Sequence, residues 1–238
     1  ALAPAEEAVA ICRELAAARP DTFRPDLARS LQNQSSCLDL WRREEALAPA
    51  EEAVAICREL AAARPDTFRP DLATSLRTQS TCLKGLWRRE EALAPAEEAV
   101  AIYRELAAAR PDTFRPDLAR SLQIQSSCLD LWRCDEALAP AEEAVAIWRM
   151  LAAARPDAFR RDLASSLSDQ STCLSALGRR EEALAATEEA REIYHELASA
   201  GPGLAGDVDI ISTLEELADI IARSIRAQIA PIKENGQT

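Results

Sequence analysis

From residue 44 to 60 the chain reads EEALAPAEEAVAICREL, with Ala46, Ala53, Ile56 and Leu60 at three-, four- and seven-residue spacing. Glu51, Glu52, Arg58 and Glu59 fall mostly elsewhere, so the segment predicts an amphipathic helix with one buried stripe. That helix is expected from about Arg43 to Ala63. It stops before Arg64-Pro65, because a proline steers the residue ahead of it out of the helical region. A preceding helix is expected from about Phe23 to Leu40, with Thr22 as N-cap and Pro25 in the first turn. Pro49 falls about six residues into the second helix, where a local kink is expected.

The pair then repeats. EEALAPAEEAVAICREL returns as EEALAPAEEAVAIYREL from 90, DEALAPAEEAVAIWRML from 135 and EEALAATEEAREIYHEL from 181, and a shortened copy opens the chain. Phe23, Phe68, Phe114 and Phe159 recur every 45 or 46 residues. Two such helices cannot bury their stripes alone, so the units must stack. The expected layout is a lone second helix over 1–19, then helix pairs at about 22–64, 67–110, 113–155 and 158–200. A Gly/Pro break over 201–206 precedes a different amphipathic helix, 207–230, expected to cap the array, and 231–238 should fray. The opening helix lacks its partner, and an uncapped apolar edge invites self-association.

Composition narrows the function. The 238 residues are 48% hydrophobic but only 4% aromatic, so the core is expected to rest on Ala and Leu. Net charge is −12, with 26 arginines and two lysines, which disfavours nucleic acid and anionic membranes as partners. No run approaches the roughly 18 apolar residues of a membrane span, and no basic-then-apolar leader opens the chain. A cytoplasmic setting is therefore expected. The start on Ala rather than Met suggests a piece of a larger protein. Seven cysteines, six within helical patterns, read as reduced core residues.

No chemistry converges. Adjacent glutamates point about 100° apart on a helix, His195 lacks zinc or triad spacing, and no glycine-rich phosphate loop occurs. Cys134, placed in a turn, is expected to be the most reactive thiol. The chain reads as neither an enzyme nor a cofactor or metal binder.

The repeats resemble the tetratricopeptide family. Gly178, Glu182-Ala183 and Ala190 match its turn glycine, Glu-Ala pair and second small residue. Leu167, Ser171 and Leu174 match the large–small–large spacing of its first helix. The units are longer than the usual 34 residues, closer to the repeats of kinesin light chains and of arrays in bacterial and fungal signalling proteins. The resemblance implies an all-α, right-handed superhelical solenoid of antiparallel helix hairpins, and a scaffold that binds a protein or peptide in its concave groove. By matching register, the groove residues are Arg29, Gln32, Asn33, Ser36, Thr74, Arg77, Thr78 and Thr81, then Arg120, Gln123, Ile124 and Ser127. Ser165, Ser168, Asp169 and Thr172 follow. The family's carboxylate clamp is matched only by Arg120; Gln32, Ser36, Thr78 and Ile124 depart from it. Two other readings are a homo-oligomer through the uncapped N-terminal helix and a sensor arm on a signalling NTPase or caspase-like protease.

The family's turn glycine is replaced by Trp41, Trp87 and Trp132. Tryptophan does not readily take the left-handed conformation, so those turns are expected to be rebuilt. Each indole either anchors a partner along one edge or folds over the turn to seal it; its burial separates the two. Gln34, Gln79, Gln125 and Gln170 stand where the family packs leucine, and a ladder of buried amides is expected there.

Overall fold

The computed structural model describes residues 2–38, 42–129, 133–199 and 223. Trp41, Trp132 and the expected helix over 207–230 lie outside them. Among the described residues there are nine helices and no strand: α1 (Leu2–Ala18), α2 (Pro20–Leu38), α3 (Arg43–Ala63), α4 (Pro65–Gly85), α5 (Arg89–Ala109), α6 (Pro111–Cys128), α7 (Cys134–Ala154), α8 (Pro156–Ala176) and α9 (Arg180–Ser199). The chain divides into two compact units, Ala1–Cys128 and Leu129–Thr238. Within each, every helix packs on the next in sequence, and in the first unit α4 also touches α2 and α6. This is the stacking of an all-α solenoid. No described helix is long and apolar enough to cross a membrane.

The first helices begin three residues earlier than expected. Pro20, Pro65, Pro111 and Pro156 open them, where a missing N–H is harmless and φ is already helical. Thr22 is therefore inside its helix, and Pro25 is its sixth residue rather than part of its first turn. A single residue, Arg64, ends α3 and caps α4. Its guanidinium lies 4.8 Å from the Phe68 ring, and Arg19–Phe23, Arg110–Phe114 and Arg155–Phe159 repeat the contact at 4.7–4.9 Å. Each corner is thus stapled by a cation–π pair.

A buried serine joins the helices of a hairpin. Ser35 donates to the Ala46 carbonyl at 2.8 Å, Ser80 to Ala92 at 2.9 Å and Ser171 to Ala183 at 3.0 Å. Pro49 and Pro95 stand three residues after the accepting alanines, in turns where their missing N–H interrupts the helix ladder, yet α3 and α5 continue through them. In the first unit the same serines reach the next repeat, with Ser35–Cys82 at 3.2 Å and Ser80–Cys128 at 3.4 Å. These two Ser–Cys contacts between repeats are packing joints. Burial holds the Cys57 and Cys128 thiols above their ordinary pKa, and no cysteine is in a disulfide. Cys134 is buried as the first residue of α7, which removes the access a reactive thiol needs.

Alanine and leucine dominate the core, as composition implied, but its largest fully buried side chains are Trp148, Tyr103 and Tyr194. All three occupy the register of Cys57. Tyr103 packs on Phe114 with ring centroids 6.4 Å apart, and Trp148 on Phe159 at 5.7 Å. The glutamine ladder does not form. Gln34, Gln79, Gln125 and Gln170 are only partly buried; Gln32 instead crosses between repeats, donating to the Asp71 carbonyl at 3.3 Å and to Ser75 Oγ.

Candidate binding groove

Most described arginines on the outer surface are already engaged. Arg88 grips Glu91 through Nε and Nη2 at 2.7 and 2.6 Å, and Arg133–Glu136 and Arg179–Glu182 repeat the two-bond grip at 2.5–2.9 Å. These bonds hold the Glu91, Glu136 and Glu182 carboxyls below the ordinary value. Between second helices Arg13 pairs with Glu52, Arg58 with Glu98 and Arg149 with Glu189. Within hairpins Arg24 pairs with Glu59, Arg69 with Glu105 and Arg160 with Glu196. The planar fork of arginine suits such two-point contacts better than a lysine head. Sequence reading missed these belts, although Arg13, Arg58 and Arg149 in one register, each with a glutamate 39 or 40 residues on, are visible as a repeat.

Arg77 differs. It projects from α4 into a cleft of about 310 Å³ lined by Gln32, Asn33, Ser36, Thr74, Thr78, Thr81 and Cys82. The carboxylate of Asp117 is 3.9 Å from its Nη2, and its buried Nε has no hydrogen-bond partner. A buried donor without an acceptor is costly, on the order of 1–3 kcal/mol. The surrounding hydroxyls are turned back on their own helices: Ser36 donates to the Gln32 carbonyl, Thr78 to Thr74 and Thr81 to Arg77, all at 3.0–3.1 Å. Each hydroxyl oxygen keeps lone pairs able to accept a further hydrogen bond. Thr74 meets the Tyr103 hydroxyl at 2.8 Å, so the core aromatic of α5 supports one wall.

The expected groove residues sort as follows. Gln32, Asn33, Ser36, Thr74, Arg77, Thr78 and Thr81 come together, as register matching placed them. Ser127 accepts from Lys84 at 3.0 Å and so joins α6 to α4. Arg120 lies 3.9 Å from the same Asp117 as Arg77. Ile124 is partly buried against the Leu38–Ala46–Cys82–Cys128 core cluster, so packing accounts for much of its side chain. Arg29 is exposed, beside Asp26, and does not line the cleft. Ser165, Ser168, Asp169 and Thr172 lie on α8 in the second unit.

Trp87 overturns one expectation and decides between two alternatives at this turn. Its turn is not rebuilt: Trp87 itself adopts φ +62°, and Gly178 holds the matching place at +74°. Trp87 N–H bonds the Lys84 carbonyl at 3.0 Å and Arg88 N–H that of Leu83 at 3.0 Å. Gly178 and Arg179 make the same two bonds to Ser175 and Leu174 at 3.0 and 2.9 Å, the Schellman pattern in both cases. The left-handed conformation costs a residue with a Cβ about 1–2 kcal/mol. Nor does the indole seal the turn, since Trp87 is 76% exposed. Arg89 lies 5.2 Å over its ring.

No protein-family model matches the chain, and no curated protein matches it. Among solved structures it is similar to the crystal structure of BtubC (BKLC) from P. vanneervenii, with a TM-score of 0.61 and 17% identity over 96% of this chain and 91% of that one. The chain has a tetratricopeptide-like repeat fold. At this identity the likeness carries the fold alone, so the function must be argued from the groove. Among the described residues no three His, Cys, Asp or Glu side chains are grouped to hold a metal ion.

Proposed function

We propose that the chain is a non-catalytic interaction scaffold that binds an extended peptide or partner segment in the cleft between α2 and α4. The observation that carries this reading is Arg77, whose buried Nε lacks an acceptor in a fold where most outer arginines have close carboxylate partners. A peptide backbone or side-chain oxygen supplies that acceptor, and Gln32 and Asn33 offer amides to an extended chain. The walls are polar and the volume is modest, which suits hydrogen-bonded recognition over capture of a bulky apolar anchor.

The test is selection of binders from a random peptide display library on the full chain, followed by Arg77→Ala and Asn33→Ala. Losing a hydrogen bond to a charged group, about 1.5–3 kcal/mol, weakens groove binders roughly 10- to 100-fold with the fold intact. Selected peptides that bind both variants as well as the parent chain sink the reading.

A second reading has its own observation. Ile11 on α1 is 51% exposed, whereas Ile56, Ile102 and Ile193 in the same register are 6–7% exposed. Leu15 is exposed as well. That face is suited to pairing with a second copy. Sedimentation across a dilution series decides it: a concentration-independent monomer, unchanged by Ile11→Glu, excludes self-association.

A further inference from the structure

The cleft between α2 and α4 is unevenly supplied with hydrogen-bonding groups. On its donor side stands Arg77, whose buried Nε has no partner. Its acceptors are more numerous. Ser36, Thr78 and Thr81 each spend their one hydroxyl proton on a carbonyl of their own helix, at 3.0–3.1 Å. Gln32 spends its NH2 on the Asp71 carbonyl and on Ser75, which leaves its Oε1 to accept. An occupant that fits must therefore accept from Arg77 and donate to the oxygens around it.

Three classes of side chain fail that requirement. An apolar one leaves Nε buried and unmet. A lysine or arginine meets the Arg77 charge with another of the same sign. A carboxylate or phosphate accepts from Arg77 but has no proton for the oxygens of Thr78 and Thr81. Those hydroxyls can donate to it only by giving up the bonds to their own helix. Asp117 Oδ1 also stands 3.9 Å from Nη2 of Arg77 and 3.9 Å from Nη1 of Arg120. An incoming anion meets that charge as well as the guanidinium, on a chain of net charge −12.

We infer that the cleft recognises a neutral primary carboxamide, the side chain of a glutamine or asparagine in the bound segment. This planar group carries a carbonyl oxygen, which accepts from Arg77, and two N–H donors, which bond the threonine oxygens. Thr81 is four residues after Arg77 and three after Thr78, neighbour spacings on a helix, and all three line the cleft. A volume of about 310 Å³ has room for such a side chain. A site built to hydrogen-bond an N–H discriminates strongly against an analogue that lacks it. The inference rests on the groove reading above and narrows it to one functional group.

The experiment takes the display-selected peptides that lose binding to the full chain on Arg77→Ala. Each is resynthesised with its glutamines changed to glutamate and its asparagines to aspartate, one at a time. These exchanges keep the shape and swap an NH2 for a charged oxygen. Fluorescence anisotropy is expected to find in each peptide one carboxamide whose exchange weakens binding at least about tenfold. A chain carrying Thr78→Val and Thr81→Val, isosteric but without the acceptors, is expected to shrink that preference severalfold, and Thr78→Ser with Thr81→Ser to restore it. Thr81→Val alone serves if the valine pair lowers Tm. Arg77-dependent peptides with no sensitive carboxamide, or that bind better in the acidic form, overturn the inference and leave the groove reading standing. A preference unmoved by the valine changes overturns it as well, because the donors then bond elsewhere. Selected peptides that all ignore Arg77→Ala overturn it together with the groove reading.

Discussion

The two sides of α4 obey different rules. Leu76, Ser80 and Leu83 point into the stack, and their counterparts hold the same residue types in every repeat: Leu31, Leu122 and Leu167; Ser35, Ser126 and Ser171; Leu38, Leu129 and Leu174, all buried. One position along, Arg77, Thr78 and Thr81 face the cleft. Their counterparts are Gln32, Gln123 and Ser168, then Asn33, Ile124 and Asp169, then Ser36, Ser127 and Thr172. The inner side is held constant because a solid-like interior has one arrangement that fills it. The cleft side is less tightly packed; Gln32, Ile124 and Ser127 still touch neighbouring helices, so the stack restricts it only in part.

Substitutions on the two sides should separate these roles. Leu76→Ala removes a side chain with no exposure and should cost about 2–5 kcal/mol in denaturant unfolding. A loss under about 1 kcal/mol would mean the inner side is looser than its burial implies. Ser80→Ala deletes the bond to the Ala92 carbonyl and should cost about 1 kcal/mol. The equivalent change at the cleft, Thr78→Ala, removes only a bond to its own helix and should stay within about 0.5 kcal/mol. If the two serine and threonine changes cost the same, the contrast between the sides fails.

The smallest effect contrasts the engaged arginines with Arg77. Glu91, Glu136 and Glu182 have carboxyls lowered by bonds from Arg88, Arg133 and Arg179. A lowered acid stabilises the folded state fully above its ordinary value of about 4.5 and loses that contribution as pH falls through the lowered value. Tm should therefore drop below about pH 4.5, by little, because these groups are at the surface. Arg88→Ala should flatten that acid limb, while Arg77→Ala leaves it unchanged; calorimetry across pH 3–7 reads both.

The second-helix boundaries were legible because Ala, Ile and Leu spacing, with Arg-Pro after each run, marks them locally. The cleft residues on α2 and α4 were legible because a repeat fixes register, and register fixes which side of a helix a position occupies. The first-helix starts were misplaced because Thr22 resembles an N-cap, whereas Pro20 at the first helical position outweighs it. Trp87 was misjudged because sterics alone argue against its φ. The two backbone bonds that close the turn, from Trp87 to Lys84 and from Arg88 to Leu83, offset that steric cost and hold the strained residue in place.

The sequence by itself determined helices, repeat period and the set of side chains offered to the cleft, since these follow from spacing along one chain. Tertiary structure alone decided three matters. Arg77 lacks a close partner while Arg88 has Glu91; the core's largest side chains are Tyr103, Trp148 and Tyr194 in the register of Cys57; and the Trp87 indole is turned outward. Each depends on which side chains the packed helices bring together or on the balance between strain and hydrogen bonding at a turn. Periodicity carries no information about either.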